Sequence, residues 1–286
     1  MVKTLILYDS KYGFTERIAQ ELSLILGPAK YVRMSDFENN KVEYDVIVLC
    51  IPICSEKIDK NVIEYLSQNA DWIKEKKVIL VCTCFTEKNI EHCMKPVNDI
   101  LERSIVYRAV VAREALNKEE FVELALNMKK IKDQGQKVME VQRLKAFMED
   151  FINRHNTCTL ATGFGDRTRA TPIEYIYMEE SIYMLSEGGE KFANILLNSN
   201  VSISIFDEYK SMNQLAGMQI SGSAQIIDIG SYEYILLLNK KNLKLERITS
   251  LPVALNLIKI NIDRIEFLWS EFNKMDFDTK QSLYLQ

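Results

Sequence analysis

Glycine and proline are scarce in this 286-residue chain, at 10 and 5, which excludes collagen-like, linker-dominated and low-complexity organisation. No excess of basic charge exists either. The net charge is −4 at pH 7 and neither half is basic, so the electrostatic footprint of a nucleic-acid binder is missing. Long hydrophobic runs are also lacking: the longest, Val46 to Cys54, is half the length a bilayer crossing needs and contains Pro52. At the N-terminus only Thr4 to Tyr8 separate Lys3 from Asp9. That is too short for a signal-peptide core, and the expectation is a cytoplasmic protein. Histidine is limited to His92 and His155, far apart and with no evident Ser, Cys or carboxylate partner, so capping or solvated roles are expected and no metal site. The six cysteines form no CxxC and no iron–sulfur spacing. Cys50 and Cys82 lie inside apolar runs and read as core thiols. Cys54 and Cys84, at run ends, are the two positions where a redox role stays open.

What is present is 47 % apolar and 27 % charged residues, a globular composition with length for two domains. In the first half, Thr4–Tyr8, Val46–Ile51 and Val78–Cys82 are continuous apolar runs rich in β-branched residues, the pattern of strands covered on both faces. Ala29–Met34 and Ile105–Val111 are weaker strands. Helical spacing lies between them at Ile18, Leu22 and Ile25, at Ile58, Val62 and Leu66, at Val97, Ile100 and Leu101, and at Phe121, Leu124, Met128 and Ile131. This alternation predicts a doubly wound parallel sheet whose ligands sit at the carboxyl ends of the strands. Asp9 to Thr15 then opens into a helix near Glu16, where hydroxyls, Gly13 and a helix N-terminus suit a phosphate. The plain alternative is a turn capped by Thr15.

The stretch Leu5 to Thr15 resembles the flavodoxin family, especially its protoporphyrinogen-oxidase-like branch, and the resemblance extends to about residue 135. It implies that Ser10, Lys11, Tyr12, Gly13, Phe14 and Thr15 cradle an FMN phosphate, with Tyr12 in place of a usual Thr. The ring-enclosing loops would be Pro52–Ser55 and Thr83–Thr86. Neither contains Gly and only Phe85 is aromatic, so the tighter flavin site is expected in the second half.

A polar break at Lys132–Lys137 places a boundary near residue 135, giving domains 1–135 and 136–286. Beyond it Val138, Val141, Leu144, Met148, Phe151 and Ile152 trace one helical face ending at Arg154. From Thr157 the period changes to two. Thr157–Thr162, Ala170–Met178, Ser181–Leu185, Val201–Asp207 and Met218–Asp228 read as strands of a mainly antiparallel barrel interrupted by a short helix at Phe192–Leu197. Ser186 to Lys191 runs into that helix, and a lysine in a first turn is unfavourable unless an anion sits there.

Residues 138 to about 230 resemble the pyridoxamine-5'-phosphate-oxidase-like FMN-binding split barrel. The resemblance rests on Thr159–Thr162, Arg169–Pro172, Lys191–Ser202 and Ile220–Ala224 in order. It implies that Arg169 and Lys191 hold the FMN phosphate, that Arg169, Ala170 and Thr171 together with Met184, Leu185 and Ser186 line the flavin, and that the barrel forms a homodimer. Glu190 and Glu174 stand where the family has basic residues, and no Arg follows Trp269, so the vitamin substrate is not expected. The resulting expectation is an FMN-dependent oxidoreductase passing electrons or hydride through a flavin in the barrel. Rivals are an electron carrier whose first half is a docking module, and a haem-binding barrel. The electron donor, nicotinamide or protein, is not named by any motif.

Overall fold

The computed structural model describes residues 1–38, 44–87 and 89–285. It divides into two compact units, residues 1–136 and 137–286.

In the first unit the strands are β1 (Thr4–Tyr8), β2 (Ala29–Arg33), β3 (Val46–Cys54), β4 (Lys57–Ile58), β5 (Lys77–Cys84) and β6 (Ile105–Ala112), and the helices α1 (Phe14–Ile25), α2 (Lys60–Lys74), α3 (Ile90–Leu101) and α4 (Lys118–Asp133). The sheet order is β2-β1-β3-β5-β6, parallel throughout, with β4 folded back on β3. Alternate residues of the central strands face opposite layers. Leu49, Ile51 and Leu80 pack on Leu66 of α2 and Val97 of α3, while Val48, Cys50 and Val81 pack on Leu22 of α1 and Met128 of α4. The chain moves from one side of β1 to the other between β2 and β3, and a doubly wound sheet opens its ligand crevice at such a reversal.

The second unit contains α5 (Val141–Arg154), β7 (Thr157–Phe164), β8 (Arg167–Glu174), β9 (Ile176–Met178), β10 (Ser181–Ser186), α6 (Glu190–Leu197), β11 (Asn200–Phe206), β12 (Ala216–Ile227), α7 (Tyr232–Lys240), α8 (Leu245–Thr249), β13 (Asn256–Trp269), α9 (Glu271–Lys274) and β14 (Lys280–Tyr284). Its antiparallel sheet runs β8-β7-β11-β12-β13-β10-β9, with β14 on β13. The long β13 pairs with β10 through its first half and β14 through its second. This branching curls the sheet into a half-barrel around Leu160, Ile203, Ile220 and Phe267, closed by Met148 and Phe151 of α5.

Two expectations need correction. Ala170–Met178 is two strands, because Tyr175 turns inward between them and its hydroxyl donates to the Ile152 carbonyl at 2.6 Å. Val138 and Val141 are exposed at 64 % and 56 %; α5 starts only at Val141, where the Glu140 carboxylate accepts from the N–H groups of Gln142 and Arg143. Among the described residues the longest strand is β13, of 14 residues. Its alternation is broken in the middle by a bulge between Ser221 and Gly222 of β12, which disguises the period.

Gly222 is what allows that bulge. A Cβ there would stand 2.2 Å from the Asn261 carbonyl oxygen, a backbone atom that cannot step aside. Gly222→Ala is expected to lower stability by about 3 kcal/mol, the scale of an overpacked site, read from the urea midpoint. An unchanged midpoint would show that the two strands part without cost.

Candidate functional site

In the first unit the turn after β1 is built around Gly13, whose φ of +81° is left-handed and therefore cheap only for glycine. Its N–H donates to the Ser10 hydroxyl at 3.0 Å. The helix begins at Phe14, not near Glu16, and Gly13 is its N-cap. Thr15 is therefore no cap. It is 3 % exposed, and its hydroxyl lies 2.7 Å from that of Thr83 at the end of β5. The first-turn N–H groups of α1 thus keep no intrahelical acceptor while the positive end of the helix dipole faces the same place. Lys11 and Tyr12 project outward, Tyr12 at 74 % exposure with the Lys11 ammonium 5.7 Å from its ring centre.

Two more loops converge here. Ser10, Lys11, Tyr12, Phe14 and Thr15 share a cavity of about 250 Å³ with Pro52–Ser55, with Thr83, Cys84 and Phe85, and with Arg113. The β3–β4 connection makes its tight turn without glycine: Ser55 and Glu56 take φ of +50° and +56°, strained values for residues with a Cβ. Glu56 is braced by Asn89, whose amide donates to its carboxylate at 3.1 Å, and by Cys93, whose thiol donates to its carbonyl at 3.1 Å. Phe85 is 61 % exposed. Arg113, which the sequence reading passed over, is brought to the cavity because its N–H donates to the Cys84 carbonyl at 2.9 Å.

In the second unit the expected residues separate. Arg169 and Ala170 on β8 line an open groove of about 600 Å³ with Thr162, Asn200, Ser202, Ser221, Gly222 and Asp263. Thr171 is half-buried opposite Leu160. Met184, expected to line a flavin, is 1 % exposed and packs in the barrel core. Leu185 packs against a satellite cluster with Tyr234 and Leu257. Ser186 exchanges long 3.4 Å contacts with Gly188. Lys191 is 7 % exposed, and its ammonium donates to the Gly188 carbonyl at 2.5 Å. Burial first, and the nearby Arg169 second, hold its pKa below the usual lysine value. Arg169 donates to Glu190 at 3.1 Å. Glu174 pairs with Lys241 at 2.8 Å.

A flavodoxin domain model matches residues 5–112, and a pyridoxamine 5'-phosphate oxidase model matches residues 144–269. The chain joins a flavodoxin domain to a pyridoxamine-5'-phosphate-oxidase-like domain. Among solved structures, the first domain is similar to Megasphaera elsdenii flavodoxin, at 26 % identity, covering 44 % of this chain and 98 % of that one with a TM-score of 0.38. The second is similar to a putative pyridoxamine 5'-phosphate oxidase from Listeria innocua (20 % identity, 44 % and 98 % covered, TM-score 0.36) and to HutZ, the heme storage protein from Vibrio cholerae (17 %, 43 % and 89 %, 0.35). No curated protein matches the chain. Domains of both types characteristically bind flavin. No helix among the described residues is long and apolar enough to cross a membrane.

His155 has the carboxylate partner that its sequence context hid. One ring nitrogen lies 2.8 Å from Asp207 and the other 2.8 Å from the Phe151 carbonyl, which ties the end of β11 to the end of α5. His92 is exposed at the start of α3.

The cysteines of the flavodoxin domain divide by burial. Cys50, Cys82, Cys84 and Cys93 are buried and only Cys54 is exposed. Burial pushes the Cys82 thiol up to about 12 and raises Cys50 as well; Cys84 is raised by burial and then by Glu87. In the second domain burial takes Cys158 to about 12. Thiolate is the reactive form, so at pH 8 the native protein should show one fast thiol toward a disulfide reagent, lost in Cys54→Ser, and all six only in denaturant. Two fast thiols would put Cys84 back among the redox candidates.

Proposed function

We propose that the protein is an FMN-dependent redox protein with a flavin site in each domain. The observation that carries this reading is the convergence, on one cavity, of three loops far apart in sequence around a helix N-terminus with unpaired N–H groups. In the flavodoxin domain Ser10, Thr15 and the first turn of α1 would hold the phosphate, and the exposed rings of Tyr12 and Phe85 flank the opening where an apolar ring system would lie. In the second domain the support is electrostatic. Lys191 is a nearly buried cation beside a second cation, Arg169, and only Arg169 has a compensating anion, Glu190. A phosphate in that place would satisfy both cations.

A bound flavin supplies one- and two-electron chemistry; the protein contributes anchoring, orientation and the exclusion of water. No side-chain nucleophile, acid or base is required. The half-barrel groove is open, and Phe164, Leu196 and Leu197 are exposed close by at 44 %, 73 % and 56 %. A second copy of the chain would cover them, consistent with a homodimer through this domain. Six free thiols fit a reducing, cytoplasmic setting.

Denatured protein should release FMN rather than FAD or riboflavin, as chromatography of the supernatant would show. In titrations of the apoprotein, Lys191→Ala should weaken one class of site by about 1.5–3 kcal/mol, the scale of a charge-assisted hydrogen bond, and leave the other class intact. Glu190→Gln acts in the opposite direction, because Glu190 competes with a phosphate for Arg169. The pair is exposed, so the gain is about 0.5 kcal/mol. Mixing the flavin-loaded protein with NADH separates an enzyme, whose flavin bleaches and turns over, from a carrier, whose flavin does not. Absence of any flavin would refute the reading.

A further inference from the structure

Burial on β13 alternates through Ile258, Ile260 and Ile262 and resumes at Ile265 and Phe267. The change of phase comes from the bulge: Ser221 pairs with Arg264 and Gly222 with Ile262, leaving Asp263 as the additional residue. Bulges beside binding sites re-aim a side chain, and this one turns Asp263 into the groove that Arg169 also lines. The neighbouring Arg264 is held by Glu266 at 3.1 Å. The Asp263 backbone is fixed as well, its carbonyl accepting from the Leu285 N–H at 2.9 Å. Among the described residues its carboxylate has neither an ion pair nor a hydrogen bond. The fold thus sets an unpaired acceptor on a held backbone in a groove and reserves Gly222 to do so.

The groove has opposite charge at its two ends. Ala170, Ala161, Ser202 and Ser221 lie in register across β8, β7, β11 and β12 between the Arg169 side and the Asp263 side. Four strand spacings separate the two, about 19 Å along the sheet. We propose that Asp263 is a recognition residue of this groove, which takes an elongated ligand carrying an anionic group at one end and an N–H donor at the other. A carboxylate has only acceptors, so it favours an imide or amine N–H and repels a carbonyl or ring nitrogen lone pair presented at the same point. The inference rests on the flavin reading of the second domain, in which the ligand is FMN and the donor is the imide N–H of its ring.

The test uses the full-length apoprotein titrated with FMN and with FMN methylated at that imide nitrogen. The binding component weakened by Lys191→Ala identifies the second domain. For FMN, Asp263→Ala should weaken this component ten- to hundredfold, the range of a charged hydrogen bond. The wild type should lose the same factor with the methylated flavin, and the variant should bind both flavins alike. Asp263→Asn, whose amide oxygen still accepts, should recover part of the loss. Asp263 is exposed, so melting temperatures should not change. If the component is present and Asp263→Ala leaves it unaltered, or lowers both flavins equally, the assignment of Asp263 is wrong while the flavin reading stands. If no Lys191-dependent component exists, both fall together.

Discussion

Positive potential with little protein anion to meet it organises both domains. In the flavodoxin domain it comes from the first turn of α1, where the N–H groups past Gly13 have no carbonyl to bond. The parallel sheet puts that turn beside the ends of β3 and β5, and the Thr15–Thr83 contact fixes the distance between them. In the second domain the potential comes from Lys191 and Arg169, brought together by α6 and β8. Burial first, and the neighbouring Arg169 second, hold the Lys191 pKa down. Glu190 pairs with Arg169 through an exposed contact, which a phosphate would displace on the proposed reading.

The loops around the first cavity follow from the same constraint. A ring approaching a phosphate cradle needs tight turns at the strand ends, and here the β3 turn is made by Ser55 and Glu56 at positive φ. Asn89 and Cys93 hold Glu56 from α3 and the loop before it. Strain of this kind persists only where the surroundings enforce it, and it gathers at functional sites. The lack of glycine that made this loop look unsuited to a flavin is therefore a matter of how the turn is stabilised and not of whether it forms.

Sequence pattern revealed the parallel sheet well, because the runs at Thr4–Tyr8, Val46–Ile51 and Val78–Cys82 are buried on both faces and carry no polar interruption. It also exposed the Ser10–Thr15 turn, whose residue types act locally. It was blind to contacts made over long separations. Arg113 reaches the cavity through a hydrogen bond to Cys84, His155 meets Asp207 from another strand, and Met184 points into the core because of register that residues 181–186 alone do not define. On β13 a bulge shifts the alternation by one residue, so a strand of 14 residues reads as two conflicting fragments. That shift was itself a signal: two adjacent outward residues, Asp263 and Arg264, within an otherwise alternating apolar stretch.

On the proposed reading each domain holds its own flavin. Mass spectrometry of the intact chain under native conditions, after reconstitution with excess FMN and removal of the unbound fraction, counts the flavins directly. Two FMN per chain is the predicted result, falling to one in Lys191→Ala. A ceiling of one FMN per chain in the wild type would contradict it.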